Sequence, residues 1–518
     1  MCRQSFFLLF NRLGGFDNYF SCPYIIFVYE FDKYFAIMDK KHKKMALLFE
    51  ARNYWDRLNC FRQTRNRCKR YCYGDQWSDR IMVDGQMMRE EHYIRSQGSE
   101  PLKNNLIRRL VKQVLGLYRS EAKPKNTSAL LDAVRKENCA DELDTRMLEE
   151  FLISGLAVQR KTGGYRNGRI GCWTDNVPPD HFFVNSDISD CRGWDVECIG
   201  EIHDMRFDAV CEAFAHSGED VRHLAAVYSA ADYRDRVRAL LEEWGQPHGA
   251  SDFFFPASLA LCRVVEVWHR VRRPGFLCHD RSGGHLRWVD ALSAEAAAEV
   301  SSDMMWTVTD EWHYSYLSPF GDVLSEGVSP YQHGSHPYVF KAYPFIDGEI
   351  HSFVADVIDQ QRYTNRLITL YDWVMRSSAK GVLLVPEESI PDGYTLADVA
   401  DEWARFNGVI AVKTRNGAAM PQQISANAVN IGINELLQTQ LGFMEDISGV
   451  TGALQGKSSK VGISGTLYEQ QTHNATLSQL DLLDSFRQFI TDGVRKDMSN
   501  IEQFMLGKTD LSLHCANV

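Results

Sequence analysis

The most tempting chemistry in this chain lies at Gly452-Ala453-Leu454-Gln455-Gly456-Lys457-Ser458. A phosphate-cradling loop needs four residues between its glycines and a strand just before it, so that backbone amides converge on the anion. Here three residues intervene, Thr451 stands where the first glycine belongs, and a helical pattern precedes. Those amides would not wrap a phosphate, and ATP hydrolysis is not expected. Gly462-Ile463-Ser464-Gly465 is one residue short of a nucleophile elbow and lacks the strand before it. Asp356 and Asp359 are neighbours on one helical face, with Asp372 nearly opposite. They read better as a solvated anionic side than as a metal site. Cys191, Cys198 and His203 form a chance ligand set. The 13 cysteines are scattered, odd in number and include no CxxC pair, so reduced, mostly buried thiols are expected. No catalytic set, cofactor or metal is expected.

Another logic suits the small-residue loop that carries Lys457, Ser458, Ser459 and Lys460. Two cations can touch phosphates briefly without holding them, each contact being screened by salt. An ordinary surface loop is the plainer alternative. Asp and Glu number 68 against 57 Lys and Arg, a net charge of -11. Such a chain is poorly suited to wrapping nucleic acid, although DNA could slide past it.

Long helices must position these residues. From Ala46 to Tyr73 the chain lacks Gly and Pro and places Leu47, Leu48, Tyr54, Leu58 and Phe61 at helical spacing. The cations Arg62, Arg65, Arg67, Lys69 and Arg70 read as its solvated face, with a DNA contact as the alternative. Pro101 opens a helix Leu102–Tyr118. A further helical stretch, Ser128–Leu156, breaks near Asn138. From Gly163 to Phe345, Gly-rich turns and runs such as Val264-Val265-Glu266-Val267-Trp268 predict a mixed α/β lobe. Within it, Asp187, Asp190 and Asp195 are spaced for turns.

Glu349–Lys380 reads as one helix of about 45 Å. Two β-prone runs, Gly381–Pro386 and Gly408–Lys413, follow on either side of a Pro391-Asp392-Gly393 turn. A helix with Ile433, Leu436, Leu437, Leu441, Met444 and Ile447 on one stripe ends at Gly449, and a last helix runs from Thr466 to about Leu506. The fold class is α+β, predominantly helical, and the length suggests about three lobes. Such stripes are usually core. Helices this long are not easily buried by one small lobe, however, and copies in a ring would cover them.

Residues 1–37 hold two short apolar runs, Ser5–Phe10 and Pro23–Tyr29, interrupted by charge. They are too short to span a membrane and lack a cleavage site, so they read as translated upstream sequence. Met38 or Met45 is a better start than Met1.

Several segments, taken in order from Arg52 to Phe504, resemble tailed-bacteriophage portal proteins of podovirus type. Tyr73-Gly74-Asp75-Gln76-Trp77, followed by Pro101-Leu102-Lys103-Asn104-Asn105-Leu106-Ile107, is similar to a "GxQW" stretch with an asparagine-centred helix. Gly155-Leu156-Ala157-Val158 leads to Val177-Pro178-Pro179-Asp180-His181-Phe182-Phe183-Val184-Asn185-Ser186-Asp187, which resembles the family's "v-p-x-x-v-f-x-D" with two extra residues before the acid. Ser318-Pro319-Phe320-Gly321 and His336-Pro337-Tyr338 precede Asp359, Gln361, Asn365 and Arg366, spaced as in "D-x-Q-x-x-x-N-R" at the opening of a stem helix. Ile447-Ser448-Gly449-Val450 and Ser464-Gly465-Thr466 resemble the bracket of a tunnel loop.

The resemblance implies a wing at 38–348, stem helices at 349–380 and 431–448, and a small α/β clip at 381–430. It further implies a tunnel loop at 449–465, a crown-side helix at 466–506 and a tail at 507–518, without the long helical barrel that some portals carry. The implied assembly is a homo-dodecameric ring in the virion, at the capsid portal vertex, made in the bacterial host cytoplasm. Its implied partners are double-stranded DNA, the large terminase subunit, head–tail adaptors and major capsid or scaffold protein. Terminase would hydrolyse the ATP. The rival readings are a non-channel capsid or adaptor protein and, further off, a DNA-processing enzyme subunit.

Overall fold

The computed structural model describes residues 42–120, 128–166, 168–229, 233–245, 252–258, 260–280, 286–290, 301–380, 382–386, 389–404, 410–413, 421–424, 432–450 and 477–506. Helix and strand are mixed, as expected for an α+β chain. The chain divides into two compact units, one fewer than its length suggests. Unit 1 comprises residues up to Asn59, Gln159–Tyr338 and those from Val494; unit 2 comprises Cys60–Val158 and Val339–Gly493.

Unit 1 is organised by antiparallel strands: β5 (Phe182–Val184), β6 (Cys198–Met205), β7 (Cys262–Asp280), β9 (Ser301–Leu317) and β10 (Val323–Val328). They lie in the order β10-β9-β7-β6-β5, and β8 (Leu286–Asp290) pairs β7. The run Val264–Val267 explains the middle of this sheet: Val265 and Val267 face one side, Val264 and Glu266 the other, and all four are fully buried. A helix at 42–57 (α1) packs Met45, Leu48 and Phe49 into a core with Phe183, Val265 and Leu317. Asp195 accepts backbone N–H groups from Ser189 and Asp190, so the acids of this lobe do make turns.

Neutral histidines lie inside this unit. His336 is edge-on to Trp312 at 4.8 Å and His333 stacks on Tyr331 at 5.1 Å. Burial, reinforced by Lys496, holds His336 well below its ordinary pKa and takes His333 down to about 3. Burial also takes His269 to about 4. The unfolded chain binds these protons from 6.5 downward, whereas the folded one refuses them. Stability from this source is therefore complete above pH 6.5 and drains away as the pH falls through 4 toward 3. Burial raises the Glu201 carboxyl above its ordinary pKa, which works in the opposite direction. Denaturant midpoints measured at pH 7.5 and pH 4.5 should differ less in His333→Gln than in the parent. Equal differences would show that His333 protonation is not coupled to unfolding.

Unit 2 is mostly helical: α2 (Asn59–Cys72), α3 (Glu90–Ser96), α4 (Leu106–Ser120), α5 (Ala129–Glu137), α6 (Ala140–Ser154), α7 (Phe353–Lys380), α8 (Leu396–Ala404), α9 (Ile433–Ser448) and the first part of α10 (Leu480–Ile501). Tyr71, Ile107, Val111, Phe151, Val357, Met444 and Phe486 meet in its core.

Several expectations hold. The break at Asn138 is real, with Cys139 at φ 49°. Gly449 ends α9 in the left-handed region at φ 64°, where its lack of a Cβ removes the strain. Tyr394 N–H bonds the Pro391 carbonyl at 3.1 Å across the expected turn.

Other expectations need correction. The single helix Ala46–Tyr73 is two helices interrupted at Leu58, beside Asn59, a residue whose amide competes with helical bonds. The helix after Pro101 starts at Leu106 because Asn105 caps it, its Oδ1 accepting the Arg108 N–H at 3.0 Å. α7 starts at Phe353, where Ser352 Oγ accepts the Ala355 N–H at 2.9 Å. The run Val382–Leu384 pairs with Gln422–Ile424, and residues 410–413 are not in a strand. α8 lies in a segment whose residues read as polar and β-prone, although Thr395 and Asp398 form a reciprocal cap. The basic run on α2 is not a solvated face: Arg62 and Arg65 are buried, Arg65 grips Glu150 at 2.8 and 2.9 Å, and Arg67 and Arg70 pair with Asp79.

Among the described residues no helix is long and apolar enough to cross a membrane.

Candidate functional site

Helical spacing places Gln361 and Asn365 one turn apart on α7, and Arg362 and Arg366 one turn apart beside them. Gln361 is 0% exposed and Asn365 1%. The Gln361 Oε1 accepts the N–H groups of Leu106 at 2.9 Å and Ile107 at 3.2 Å, the open amides of the first turn of α4. Its Nε2 donates to the Asn104 carbonyl at 2.6 Å and to Asn365 Oδ1 at 3.0 Å. Asn365 Nδ2 donates to Gln76 Oε1 at 2.7 Å, and Gln76 Nε2 donates to the Tyr71 carbonyl and to Asn105 Oδ1. Asn105 Nδ2 completes the set by donating to the Cys72 carbonyl at 2.8 Å. The fold thus joins three motifs that lie far apart in sequence.

Next to this network sits a charged clamp. Glu90, almost wholly buried at the start of α3, accepts from Arg362 Nη2 at 2.8 Å and from Arg366 Nε at 2.6 Å. Burial opposes the Arg362 charge, yet Glu90 raises this guanidinium above its ordinary pKa. Further along, burial and the neighbouring Asp79 carboxylate push the Tyr71 phenol up to about 12. Donors and acceptors here are spent on one another, so the arrangement suits holding elements in place rather than moving protons.

Of the residues singled out from sequence, Gln361, Asn365 and Arg366 come together, whereas Asp359 is exposed on another face of α7. Asp356 is also exposed and receives the His351 ring at 2.6 Å, in keeping with a solvated anionic side. Lys457, Ser458, Ser459 and Lys460 lie outside the described residues. Glu90 was missed, because nothing local links it to an arginine 272 positions away. Cys191, Cys198 and His203 do not converge. Among the described residues the group that does is Glu201, His203 and Glu266.

Within unit 2, buried motif side chains tie a helix start to a long helix, an arrangement suited to holding elements in place. Residues 50–509 match the family model of the phage P22-like portal protein, and the chain belongs to that family. The role that follows is that of a bacteriophage portal protein. No curated protein matches the chain.

Proposed function

We propose that the chain is one subunit of a ring-shaped channel at a capsid vertex, through which double-stranded DNA is packaged and later ejected. The observation that carries this reading, beside family membership, is the exposure of large apolar groups on the proposed stem helices. Tyr371, Trp373 and Met375 of α7 and Leu436, Phe443 and Ile447 of α9 are each 45–49% exposed. A ring would cover them with the neighbouring copy. In this reading Asp359, Gln361, Asn365 and Arg366 belong to the stem, residues 381–430 form a clip that docks terminase and then adaptors, and 449–465 form the tunnel loop. The net negative charge keeps DNA from sticking, while Lys457 and Lys460 touch it briefly. The protein is a conduit and not an enzyme.

Electron microscopy of the purified chain, with and without scaffold protein, should show rings with a central channel, and light scattering should give a dodecameric mass. Particles without a channel under both conditions would overturn the reading. In a packaging assay the double variant Lys457→Ala, Lys460→Ala should slow DNA entry. A parental rate would remove these lysines from the mechanism.

A further inference from the structure

The register of β6 against β7 sets Glu201 directly opposite Glu266. Alternation along β6 puts His203 on the same face as Glu201. One ligand atom from each of the three lies within 4.8 Å of the others. Carboxylates directly opposed across a strand pair repel each other, and water does not relieve these two: Glu201 is 8% exposed and Glu266 0%.

Glu266 is well supplied with partners. Arg160 lies at 3.1 Å, His203 Nε2 at 2.8 Å and the Trp268 indole N–H at 2.6 Å. Glu201 is not. Its Oε1 lies 3.9 Å from His203 Nδ1, and its buried Oε2 has no hydrogen-bond partner among the described residues. One guanidinium therefore serves two buried carboxylates, and one carboxylate oxygen of the cluster is left without a donor. Such an orphan calls for a proton, a water or an ion.

We infer that Glu201, His203 and Glu266 form a binding site for a divalent transition-metal ion. An imidazole with two carboxylates is a donor set that such ions take, each ligand atom about 2.0–2.2 Å from the metal. Two ligands of one ion are then at most about 4.4 Å apart, so the cluster needs only a small side-chain rotation to close around it. Arg160 holds the Glu266 carboxylate in position from outside. The ion replaces the missing cation and cross-links β6 to β7.

The test uses the full chain, stripped with chelator and titrated with Mn2+, free ion being read by electron paramagnetic resonance. Mn2+ suits because carboxylates hold it while thiolates select softer ions. The parent should bind one ion per chain at this site, and both Glu201→Gln and His203→Ala should lose it or bind at least about tenfold more weakly. Glu201→Gln is nearly isosteric and removes the unmatched charge, so in chelator it should be no less heat-stable than the parent. Added Mn2+ should raise the melting temperature of the parent alone. If the parent binds no Mn2+, or Glu201→Gln binds it as the parent does, a proton or water serves Glu201 and the inference fails.

Discussion

Gln361→Ala is expected to destabilise unit 2 by about 2–4 kcal/mol, several times the cost of an ordinary exposed substitution. One side chain satisfies two backbone N–H groups, at Leu106 and Ile107, and one carbonyl, at Asn104. The Ile107 N–H is buried and would be stranded, whereas the half-buried Leu106 N–H and the carbonyl of exposed Asn104 keep a bond to each other at 2.9 Å. Each stranded buried group costs about 1–3 kcal/mol. Asn365 and Gln76 would then lose a neighbour as well, and the three positions should not be additive. Hydrogen exchange at the Leu106 and Ile107 amides is the direct readout. Gln361→Glu offers a sharper contrast, since its carboxylate can still accept the two helix-start amides but cannot donate to Asn104. It should restore protection at Leu106 and Ile107 only partly. Unchanged exchange in Gln361→Ala would show that the network is decorative.

The second large effect is expected from Asp497→Ala in unit 1. Lys161 sits on β3 (Leu156–Arg166) with its ammonium bonded to Asp497 at 2.9 Å and to Thr174 Oγ1 at 3.0 Å. Side-chain exposure of the pair is 3% and 5%. Removing one partner of such a pair leaves an uncompensated buried charge, a loss of about 3–5 kcal/mol. Replacing both, as Lys161→Met with Asp497→Leu, should recover most of that loss, since a well-packed apolar pair needs no counter-ion. Chemical unfolding of the two single variants and the double closes the cycle. A double variant as unstable as Asp497→Ala would mean that packing around β3, and not charge, sets the cost.

These two sites mark the limits of reading this chain from sequence. Helices whose apolar positions repeat locally were legible with their breaks: Asn138, Gly449 and the bulk of α7 and α9 lie where periodicity puts them. The spacing of Gln361 and Asn365 was legible as one face of a helix. What that face meets was not, because Gln76 and Asn105 lie on other elements, brought near only by folding. The arginines of α2 show the same limit. Charge alone suggested solvent, while Glu150 and Asp79 supply partners that no local pattern reveals. The missed helix α8 is a different failure, since Thr395 and Asp398 announce it and β-propensity around them masked the cap. The late start of α4 arose because Pro101 and Asn105 both signal a helix start, and Asn105 carries the hydrogen bond.

The interleaving of the two units has a consequence for biosynthesis. Residues of unit 2 continue to Gly493 and those of unit 1 resume at Val494, within α10 itself. Residues through this last helix must therefore be made before either unit can close. Until then the places reserved for Phe486 and Phe489, and the seat of Asp497 beside Lys161, stand open. In the interval the nascent chain is a natural client for chaperones.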